Sequence, residues 1–260
     1  MTDLKPLKDK TAIVTGAGRG IGMAIAKGFA KAGANVSIAA RSKEDLSSVE
    51  TQIKKFNSNV VAFQTDVSQS EDVDALVNNT LKSFGRIDIL VNNAGVYKEL
   101  ALVPFPDQTL TPPSVTRSSK ERMTDDEFRQ IIDTNIGGVF YGCRAVAPSM
   151  MGHKYGKIIN ISSIAASKAS TLQGVYAASK TAVNMLTSSL ALEWADYGIR
   201  VNSIAPGMYE TSMTSRAWDD PKRKQVMLGR IPLSEPGDMD GLEALAIFLA
   251  GKESDYITGQ

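Results

Sequence analysis

Short runs of β-branched and apolar residues alternate along the chain with longer stretches of helical periodicity. The runs predict six strands, at Thr11–Thr15, Asn35–Ala39, Val60–Gln64, Ile87–Val91, Lys157–Ile161 and Arg200–Ile204. Strands that alternate with helices build βαβ units around a parallel sheet that is covered on both faces. The pattern therefore predicts an α/β fold with a doubly wound parallel sheet.

Capping residues mark the ends of several predicted helices. Ser68–Glu71 and Thr124–Glu127 have the form of capping boxes, and Gly33 and Gly85 follow helical stretches as C-terminal stops. Asn135 lies on the helix after the second box, inside a stripe where a polar side chain needs a hydrogen-bond partner. The apolar members of that stripe are Phe128, Ile131, Ile132, Ile136, Val139 and Phe140.

The segment Lys98–Arg122 breaks this alternation of strands and helices. It shows neither helical nor strand periodicity and contains Pro104, Pro106, Pro112 and Pro113. Loops longer than about 15 residues inside compact domains are usually functional or disordered. We interpret the segment as an insertion that forms a flap, an oligomer contact or surface decoration. The chain as a whole predicts a single domain over residues 1–260.

Composition narrows the classes of function. Of the 260 residues, 43% are apolar and 22% are charged, a globular composition that argues against disorder and fibrous repeats. The 29 basic and 28 acidic side chains leave a net charge of +1, so no overall field favours nucleic acid or an anionic membrane. No stretch approaches the roughly 18 apolar residues of a membrane span. One cysteine, Cys143, and one histidine, His153, do not make a structural zinc site. We expect a soluble cytoplasmic protein without a bound metal.

A glycine-rich turn, Thr15–Gly22, follows the first predicted strand and leads into a helix of small residues. Glycine permits positive φ and a close approach of the backbone to a pyrophosphate, which the amides of the next helix then face. The spacing is T-G-x-x-x-G-x-G rather than G-x-G-x-x-G, and an ordinary tight turn is the alternative. The strand before it and the helix after it favour a dinucleotide cofactor, contacted by Gly16, Gly18, Arg19, Gly20 and Ile21.

The end of the second predicted strand bears on the choice of dinucleotide. An acidic residue there would bond the adenosine ribose of NAD, but Ile38–Ser42 contains no carboxylate. Arg41, helped by Arg19, can instead hold a 2′-phosphate. We therefore predict NADP(H). NAD(H), with Arg41 as an ordinary surface side chain, is the alternative.

Tyr176 and Lys180 lie four residues apart in a helical stretch, so both side chains project from one face. Because a neighbouring ammonium stabilises a phenolate, we expect Lys180 to lower the pKa of Tyr176 and make it a proton shuttle. Ser163 follows the fifth strand, at the edge where such sheets bind ligands, and can donate to a carbonyl oxygen. Taken alone, these patterns also fit an exposed helix face and a turn.

Together these motifs resemble those of the short-chain dehydrogenases/reductases, over nearly the whole chain outside the insertion. Thr15–Gly22 matches the family's glycine motif, and Asn92–Gly95 matches its N-N-A-G motif. Ser163, separated by twelve residues from Tyr176–Lys180, matches the family's serine and Y-x-x-x-K. The remaining matches are the catalytic asparagine at Asn135, the adenine-contacting pair Asp66 and Val67, and the nicotinamide-contacting run with Pro206, Gly207 and Thr211.

The resemblance implies a Rossmann-like sheet and hydride transfer between a nicotinamide and a carbonyl or alcohol carbon. In reduction, Ser163 would polarise the carbonyl and Tyr176 would protonate the alkoxide. Lys180 would contact the nicotinamide ribose, and Asn135 would hold a water that relays protons through Lys180. Asn93, Tyr176 and Lys180 join the implied cofactor contacts. The resemblance also implies a small-molecule substrate and a homodimer or homotetramer.

Two features depart from the family pattern. The family's sheet has the order 3-2-1-4-5-6-7, but this sequence ends at Ile257–Gln260, before the seventh strand. We therefore expect a sheet of order 3-2-1-4-5-6. The extra length between Gly95 and Asn135 weakens any inference of the substrate by analogy.

Several functions stay open. The favoured one is the NADP(H)-dependent interconversion of a ketone and a secondary alcohol. The 3-oxoacyl-[acyl-carrier-protein] reductases share the glycine pattern, but of their two basic docking positions Lys154 is kept and the other aligns with Tyr197. A sugar, polyol, steroid or quinone substrate is open as well. Enoyl reduction is disfavoured, because relatives with that activity space the tyrosine and lysine six residues apart. A non-catalytic redox sensor that binds NADP is the alternative outside enzymology.

Overall fold

Six parallel strands form one sheet in this computed structural model, which describes residues 5–56, 58–106 and 122–260. The sheet has the order β3-β2-β1-β4-β5-β6, so the predicted fold class and strand order are confirmed. The strands are Thr11–Thr15 (β1), Asn35–Ala40 (β2), Val60–Gln64 (β3), Ile89–Asn92 (β4), Gly156–Ile161 (β5) and Ile199–Ile204 (β6).

The predicted strand boundaries differ most at β4, which begins at Ile89 rather than Ile87. The cause lies in Asp88, whose main-chain N–H donates to the carbonyl of Thr11. The Thr11 N–H in turn donates to the Asp88 carboxylate at 3.0 Å, so a side chain replaces one main-chain partner at the start of this strand.

Helices cover both faces of the sheet. Buried residues of α1 (Gly20–Lys31), α2 (Lys43–Lys54) and α9 (Met239–Ala250) form one hydrophobic cluster with the strands. Buried residues of α3 (Ser70–Phe84), α5 (Gly138–Gly152) and α6 (Gly174–Trp194) form a second cluster. The shorter helices are α4 (Asp125–Ile132), α7 (Ser215–Trp218) and α8 (Pro221–Leu228). This two-sided burial explains why the central strands are apolar on both faces.

One predicted capping box is confirmed and one is wrong. At the start of α4, Thr124 Oγ1 accepts from Glu127 N, and the Glu127 carboxylate accepts from Thr124 N. The box predicted from Ser68 does not form, because α3 begins at Ser70 and the Ser68 hydroxyl donates to Asp66 Oδ1 at 2.7 Å. The two predicted glycine stops, Gly33 and Gly85, both take positive φ where their helices end.

The predicted continuous helix around Asn135 is interrupted. A π-helical turn, Asp133–Gly137, separates α4 from α5. Because a π turn holds more residues than an α turn, positions on either side of it no longer share one face. The predicted stripe therefore fails at both ends, where Phe128 and Phe140 are each 47% exposed. Asn135 is fully buried, so the turn directs this polar side chain inward.

The structure describes the insertion only in part. Residues 107–121, with Pro112 and Pro113, lie outside the described residues, and residues 98–106 hold no helix or strand beyond a bridge between Ala101 and Arg122.

The last residues of the chain pair with the edge of β6. Gly259 N donates to Val201 O at 2.8 Å, and Ser203 N donates to Gln260 O at 2.6 Å. No helix in the described ranges is long and apolar enough to cross a bilayer.

Candidate active site

A large cleft opens above the carboxyl ends of the strands. It is lined by the glycine turn after β1 and by residues 40–42 after β2, 65–67 after β3 and 93–99 after β4. Further parts of the wall come from residues 161–165 at the end of β5, from residues on and just before α6, and from the chain after β6. Open α/β sheets bind their ligands at this edge. Every predicted site residue except Asn135 lines the cleft.

The glycine turn has the backbone geometry that the sequence predicts. Gly16 and Gly20 take φ values of +63° and +56°. A Cβ at Gly16 would lie 2.7 Å from Asn93 Nδ2 and 2.8 Å from Ala94 Cα, so a side chain does not fit there. Asn93 Nδ2 also donates to the carbonyls of Thr15 and Gly16, at 2.9 and 3.1 Å. The loop after β4 therefore braces the turn and leaves its other side open to the cleft.

The cleft corner next to β2 is cationic. Arg19 and Arg41 are exposed there, and neither forms an ion pair within the part of the chain that the structure describes. Ser42 caps α2 by accepting from Asp45 N at 3.0 Å. Asp45 also lies here, and its Cβ is 2.9 Å from the position that a Cβ added at Gly18 would take. Two cations and one carboxylate therefore share this corner. The sequence analysis did not predict Asp45, although its place in the first turn of α2 could have indicated it.

Asp66 and Val67 form the cleft wall after β3. The Asp66 carboxylate accepts from the main chain and the hydroxyl of Ser68, at 3.0 and 2.7 Å. Val67 is 6% exposed and packs on Gly138, where an added Cβ would lie 2.8 Å from Val67 Cγ2. Neighbouring residues therefore hold both Asp66 and Val67 in place in this part of the cleft wall.

Ser163, Tyr176 and Lys180 converge as predicted. Ser163 follows β5, and its side chain lines the cleft beside Tyr176, close enough to offset part of the rise in the pKa of that phenol. Lys180, one helical turn after Tyr176, donates from Nζ to the carbonyl of Ile161 at 2.7 Å. The Lys180 Nζ lies 6.0 Å from the Tyr176 ring centroid. A hydroxyl, a phenol and an amine therefore meet at the end of β5.

The predicted direction of the Tyr176 pKa is wrong. Burial raises the pKa of Tyr176, and the Ser163 side chain offsets only part of that rise. Burial also lowers the pKa of Lys180 to about 8. The prediction considered only the charge of the neighbouring lysine, whereas removal from water disfavours both the phenolate and the ammonium. Tyr176 is accordingly a neutral phenol at neutral pH.

Asn135 finds the partner that its buried position requires. Its Oδ1 accepts from Val96 N at 2.7 Å, and its Nδ2 donates to Val96 O and to Ser179 Oγ, both at 3.0 Å. Ser179 Oγ donates in turn to the main-chain carbonyl of Tyr176 at 2.7 Å. The side-chain amide thus makes three hydrogen bonds to protein groups. The water-holding role that the resemblance implies stays a prediction. Asn135 links the loop after β4 to the helical turn that carries Tyr176.

The Thr214 hydroxyl holds the segment after β6 through several hydrogen bonds, which the sequence analysis did not predict. Thr214 Oγ1 donates to Tyr209 O at 2.6 Å and accepts from Thr211 N at 3.0 Å. Trp218 Nε1 donates to the same hydroxyl at 3.1 Å. Pro206 is fixed from the β5 side, because its carbonyl accepts from Ile164 N at 3.2 Å. Thr211, predicted to meet the nicotinamide, is therefore held by α7.

Parallel strands in the order 3-2-1-4-5-6, a positive-φ glycine turn after β1 and polar groups at the end of β5 define a Rossmann-like dinucleotide-binding fold. Residues 10–222 match the family model described as short chain dehydrogenase. The chain belongs to that family, as the resemblance predicted, and is an oxidoreductase of CH–OH groups.

Proteins similar in sequence to this chain are named for different activities. The chain is 38% identical over 255 residues to 3beta-hydroxysteroid dehydrogenase 1 of Eggerthella lenta, covering 97% of this chain and 91% of that one. It is 37% identical over 255 residues to the 3-oxoacyl-[acyl-carrier-protein] reductase of Chlamydia muridarum, covering 98% and 95%. A gluconate 5-dehydrogenase from Burkholderia cenocepacia, solved with NADP and tartrate, superposes with a TM-score of 0.86 at 34% identity, covering 99% and 94%.

Proposed function

We propose that the protein is an NADP(H)-dependent oxidoreductase that interconverts a ketone and a secondary alcohol. The observation that carries this proposal is the meeting of Ser163, Tyr176 and Lys180 in the cleft that the glycine turn also lines. Tyr176 and Lys180 are withdrawn from water, and perturbed titratable groups in a cleft are typical of acid and base catalysis.

The residues present fit a dinucleotide. The open side of the glycine turn leaves room for a pyrophosphate, and Arg19 and Arg41, which form no ion pair with any residue that the structure describes, favour a 2′-phosphate over a bare ribose. The Burkholderia cenocepacia relative, solved with NADP, supports the same choice. The residues that would hold the cofactor are Gly16, Gly18, Arg19, Gly20, Ile21, Arg41, Asp66, Val67, Asn93, Tyr176, Lys180, Pro206, Gly207 and Thr211.

The chain's own residues supply the proton chemistry, while the bound cofactor supplies or accepts the hydride. Ser163 donates a hydrogen bond to the carbonyl oxygen of the substrate. Tyr176, protonated at neutral pH because burial raises its pKa, gives its proton to that oxygen as the alkoxide forms. The Lys180 ammonium then stabilises the phenolate that remains. The neutral phenol is the form of Tyr176 that carbonyl reduction requires.

We assign Asn135 a positioning role. Its bonds to Val96 and Ser179 fix the helical turn that carries Tyr176. A π turn at this point supports a functional reading, because such turns are frequent at functional sites.

The substrate side of the cleft favours a ketone with an apolar chain or ring. Ile164, Met213 and Leu233 line the cleft and are 46%, 52% and 79% exposed, so large apolar side chains stand open at its mouth. Reduction of 3-oxoacyl carrier proteins is the second candidate, on the strength of the Chlamydia muridarum relative. Tyr197, in place of a second basic docking residue, weighs against it.

We also propose that the protein assembles as a homodimer or homotetramer. Phe140 on α5 and Met185 and Leu192 on α6 are 47%, 68% and 84% exposed. Large apolar side chains left open on neighbouring helices are typical of protein interfaces. Light scattering of the purified protein measures the assembly directly, and a monomer would contradict this assignment.

The proposed function is tested by following NADPH and NADH consumption with a panel of steroid ketones, 3-oxoacyl thioesters, keto-sugars and simple ketones. We expect turnover with NADPH and loss of turnover in Tyr176→Phe. Tyr155→Phe, at the opposite edge of the sheet, is the matched control and should keep the wild-type rate. A protein that binds NADPH but reduces no ketone would instead support the redox sensor.

A further inference from the structure

A second tyrosine, Tyr97, is fixed against Tyr176. The two ring centroids are 5.0 Å apart and the ring planes meet at 86°, an edge-to-face contact. Aromatic pairs in this arrangement attract each other beyond the effect of buried area. Tyr97 belongs to the segment after β4 and lines the same cleft as Tyr176. Nothing in its sequence context singles it out.

The Tyr97 hydroxyl is held from two directions. It donates to Glu99 Oε1 and accepts from Gln173 Nε2 at 2.8 Å. Gln173 Nε2 also lies 3.3 Å from Glu99 Oε1. Burial and the bond to the Glu99 carboxylate raise the pKa of Tyr97 far above the usual range of a phenol. Both causes favour the neutral phenol at Tyr97.

The backbone is joined at the same place. Leu100 N donates to Leu172 O at 2.9 Å, and both side chains are buried. Leu172 takes a φ of +64°, a conformation that a leucine adopts only when its surroundings enforce it. Leu172 lies just before Gln173 and the first residue of α6, Gly174. The segment after β4 thus fixes the start of the helix that carries Tyr176.

We propose that Tyr97 is a positioning residue that, tied by Glu99 and Gln173, holds the Tyr176 ring in place and shields it from water. The proposal rests on the proposed function, because it takes Tyr176 to be the proton donor. It differs from a role in substrate binding, which would change KM rather than kcat. It also differs from a role in folding, which would leave the titration of Tyr176 in the folded protein unchanged.

Two substitutions at residue 97 separate the ring from the hydroxyl. Tyr97→Phe cuts both hydrogen bonds but keeps the ring contact that holds Tyr176, so we expect kcat to fall by only roughly 3- to 10-fold. Tyr97→Ala also removes the ring and admits water, so we expect kcat to fall by about 10- to 100-fold, with little change in KM. Gln173→Leu should resemble Tyr97→Phe, and the double variant should lose less than the product of the single losses.

The direction of the pH effect is set by burial. Because burial raises the pKa of Tyr176, water admitted by Tyr97→Ala lowers that pKa. The Lys180 ammonium, whose pKa burial lowers to about 8, loses its proton first as the pH rises. The second basic limb of the pH profile for reduction, where Tyr176 loses its proton, should move to lower pH. In Tyr97→Phe the ring still shields Tyr176, so this limb should stay at or near its wild-type position. Tyr155→Phe, remote from the cleft, should match the wild-type rate and profile.

A readout without turnover keeps this test separate from the proposed function. Tyrosinate absorbance is titrated in each variant and in the same variant carrying Tyr176→Phe, and the difference reports Tyr176 alone. If no ketone is reduced but the Tyr176 titration moves in Tyr97→Ala, the proposed function fails while the shielding of Tyr176 by Tyr97 stands. If ketones are reduced and the titration does not move, this inference fails.

Three results would overturn the proposal. The first is a folded Tyr97→Ala protein with wild-type kcat and an unmoved Tyr176 titration. The second is a rise in KM without a fall in kcat, which would make Tyr97 a substrate contact. Should Tyr97→Ala not fold, the third is wild-type kcat in both Tyr97→Phe and Gln173→Leu.

Discussion

Two lysines are buried at opposite ends of β5, and their partners differ. Lys157, near the amino end, is 1% exposed and donates to Asp255 Oδ1 at 2.7 Å and to Ser254 Oγ at 3.0 Å. Lys180, near the carboxyl end, is 5% exposed and donates to the main-chain carbonyl of Ile161. Among the residues that the structure describes, no carboxylate pairs with Lys180.

The difference separates a structural charge from a functional one. Burial lowers the pKa of both lysines, but the Asp255 carboxylate counteracts that effect at Lys157. Lys180 has no such counterion among the described residues, and its pKa falls to about 8. A buried ammonium without a counterion destabilises the fold, so it persists where the protein uses it. At the carboxyl edge of the sheet the Lys180 ammonium is buried without a carboxylate partner in the described part of the chain, whereas at the amino edge Lys157 is paired with Asp255.

The largest expected effect is on turnover in Lys180→Met. This variant removes the amine that stabilises the Tyr176 phenolate, so kcat/KM should fall by about 10²- to 10⁴-fold, the range of acid and base catalysis. Steady-state kinetics with the best ketone of the panel measure it. Lys157→Met is the matched control, a buried lysine outside the cleft, and should keep its rate. Equal losses in the two variants would erase the distinction between the lysines.

The same variant should change stability in a pH-dependent way. A fall in pKa from the usual 10.5 to about 8 corresponds to roughly 3 kcal/mol of penalty for the folded ammonium. Below pH 8 Lys180 is charged in both states and the penalty is complete. Between pH 8 and 10.5 the unfolded chain binds more protons, so the stability of the wild type rises with pH.

Lys180→Met should therefore be more stable than the wild type at pH 7, by about 1–3 kcal/mol after the lost hydrogen bond to Ile161 is allowed for. The advantage should shrink to near zero as the pH approaches 10.5. Urea unfolding of both proteins across this range measures the difference. A variant that is less stable than the wild type at pH 7 would show that Lys180 contributes to the fold.

The sequence alone was enough to bring Ser163, Tyr176 and Lys180 together. Parallel strands end at one edge, so motifs that follow β1, β4 and β5 must meet there, and a helical spacing of four aligns Tyr176 with Lys180. The six strands follow from local periodicity for the same reason. Positive φ at Gly16 is likewise a local property of the turn. These predictions needed no knowledge of distant neighbours.

What failed depends on distant neighbours or on competition between partners. The pKa direction of Tyr176 is set by burial, which the spacing to Lys180 does not reveal. The contact of Tyr97 with Gln173 joins positions 76 residues apart. Ser68 donates its hydroxyl to Asp66 and lies outside α3, which begins at Ser70, because local side-chain bonds compete with capping. The roles of the site residues and the single domain stay predictions.

A smaller effect is expected from Asp88→Asn at the amino edge. Asp88 is fully buried, and its carboxylate accepts from Thr11 N and bonds Arg86, with Lys10 at 3.8 Å and His153 at 4.0 Å. Asparagine keeps the shape but loses the charge, so the free energy of unfolding should fall by about 2 kcal/mol. Turnover should not change. A loss of turnover in the folded variant would mean that the two edges are coupled.

The smallest effect should come from Lys157→Met, which sharpens the comparison of the two lysines. Its partner Asp255 is 63% exposed and regains water when the amine is removed, and Ser254 Oγ keeps its bonds to the carbonyls of Leu249 and Gly251. Methionine fills the apolar path of the lysine stem. We therefore expect a loss of only about 1 kcal/mol, measured by urea unfolding at pH 7. A loss above about 3 kcal/mol would place Lys157 among strongly coupled buried ion pairs. A gain in stability would instead show that Lys157, like Lys180, is a charge the fold tolerates rather than needs.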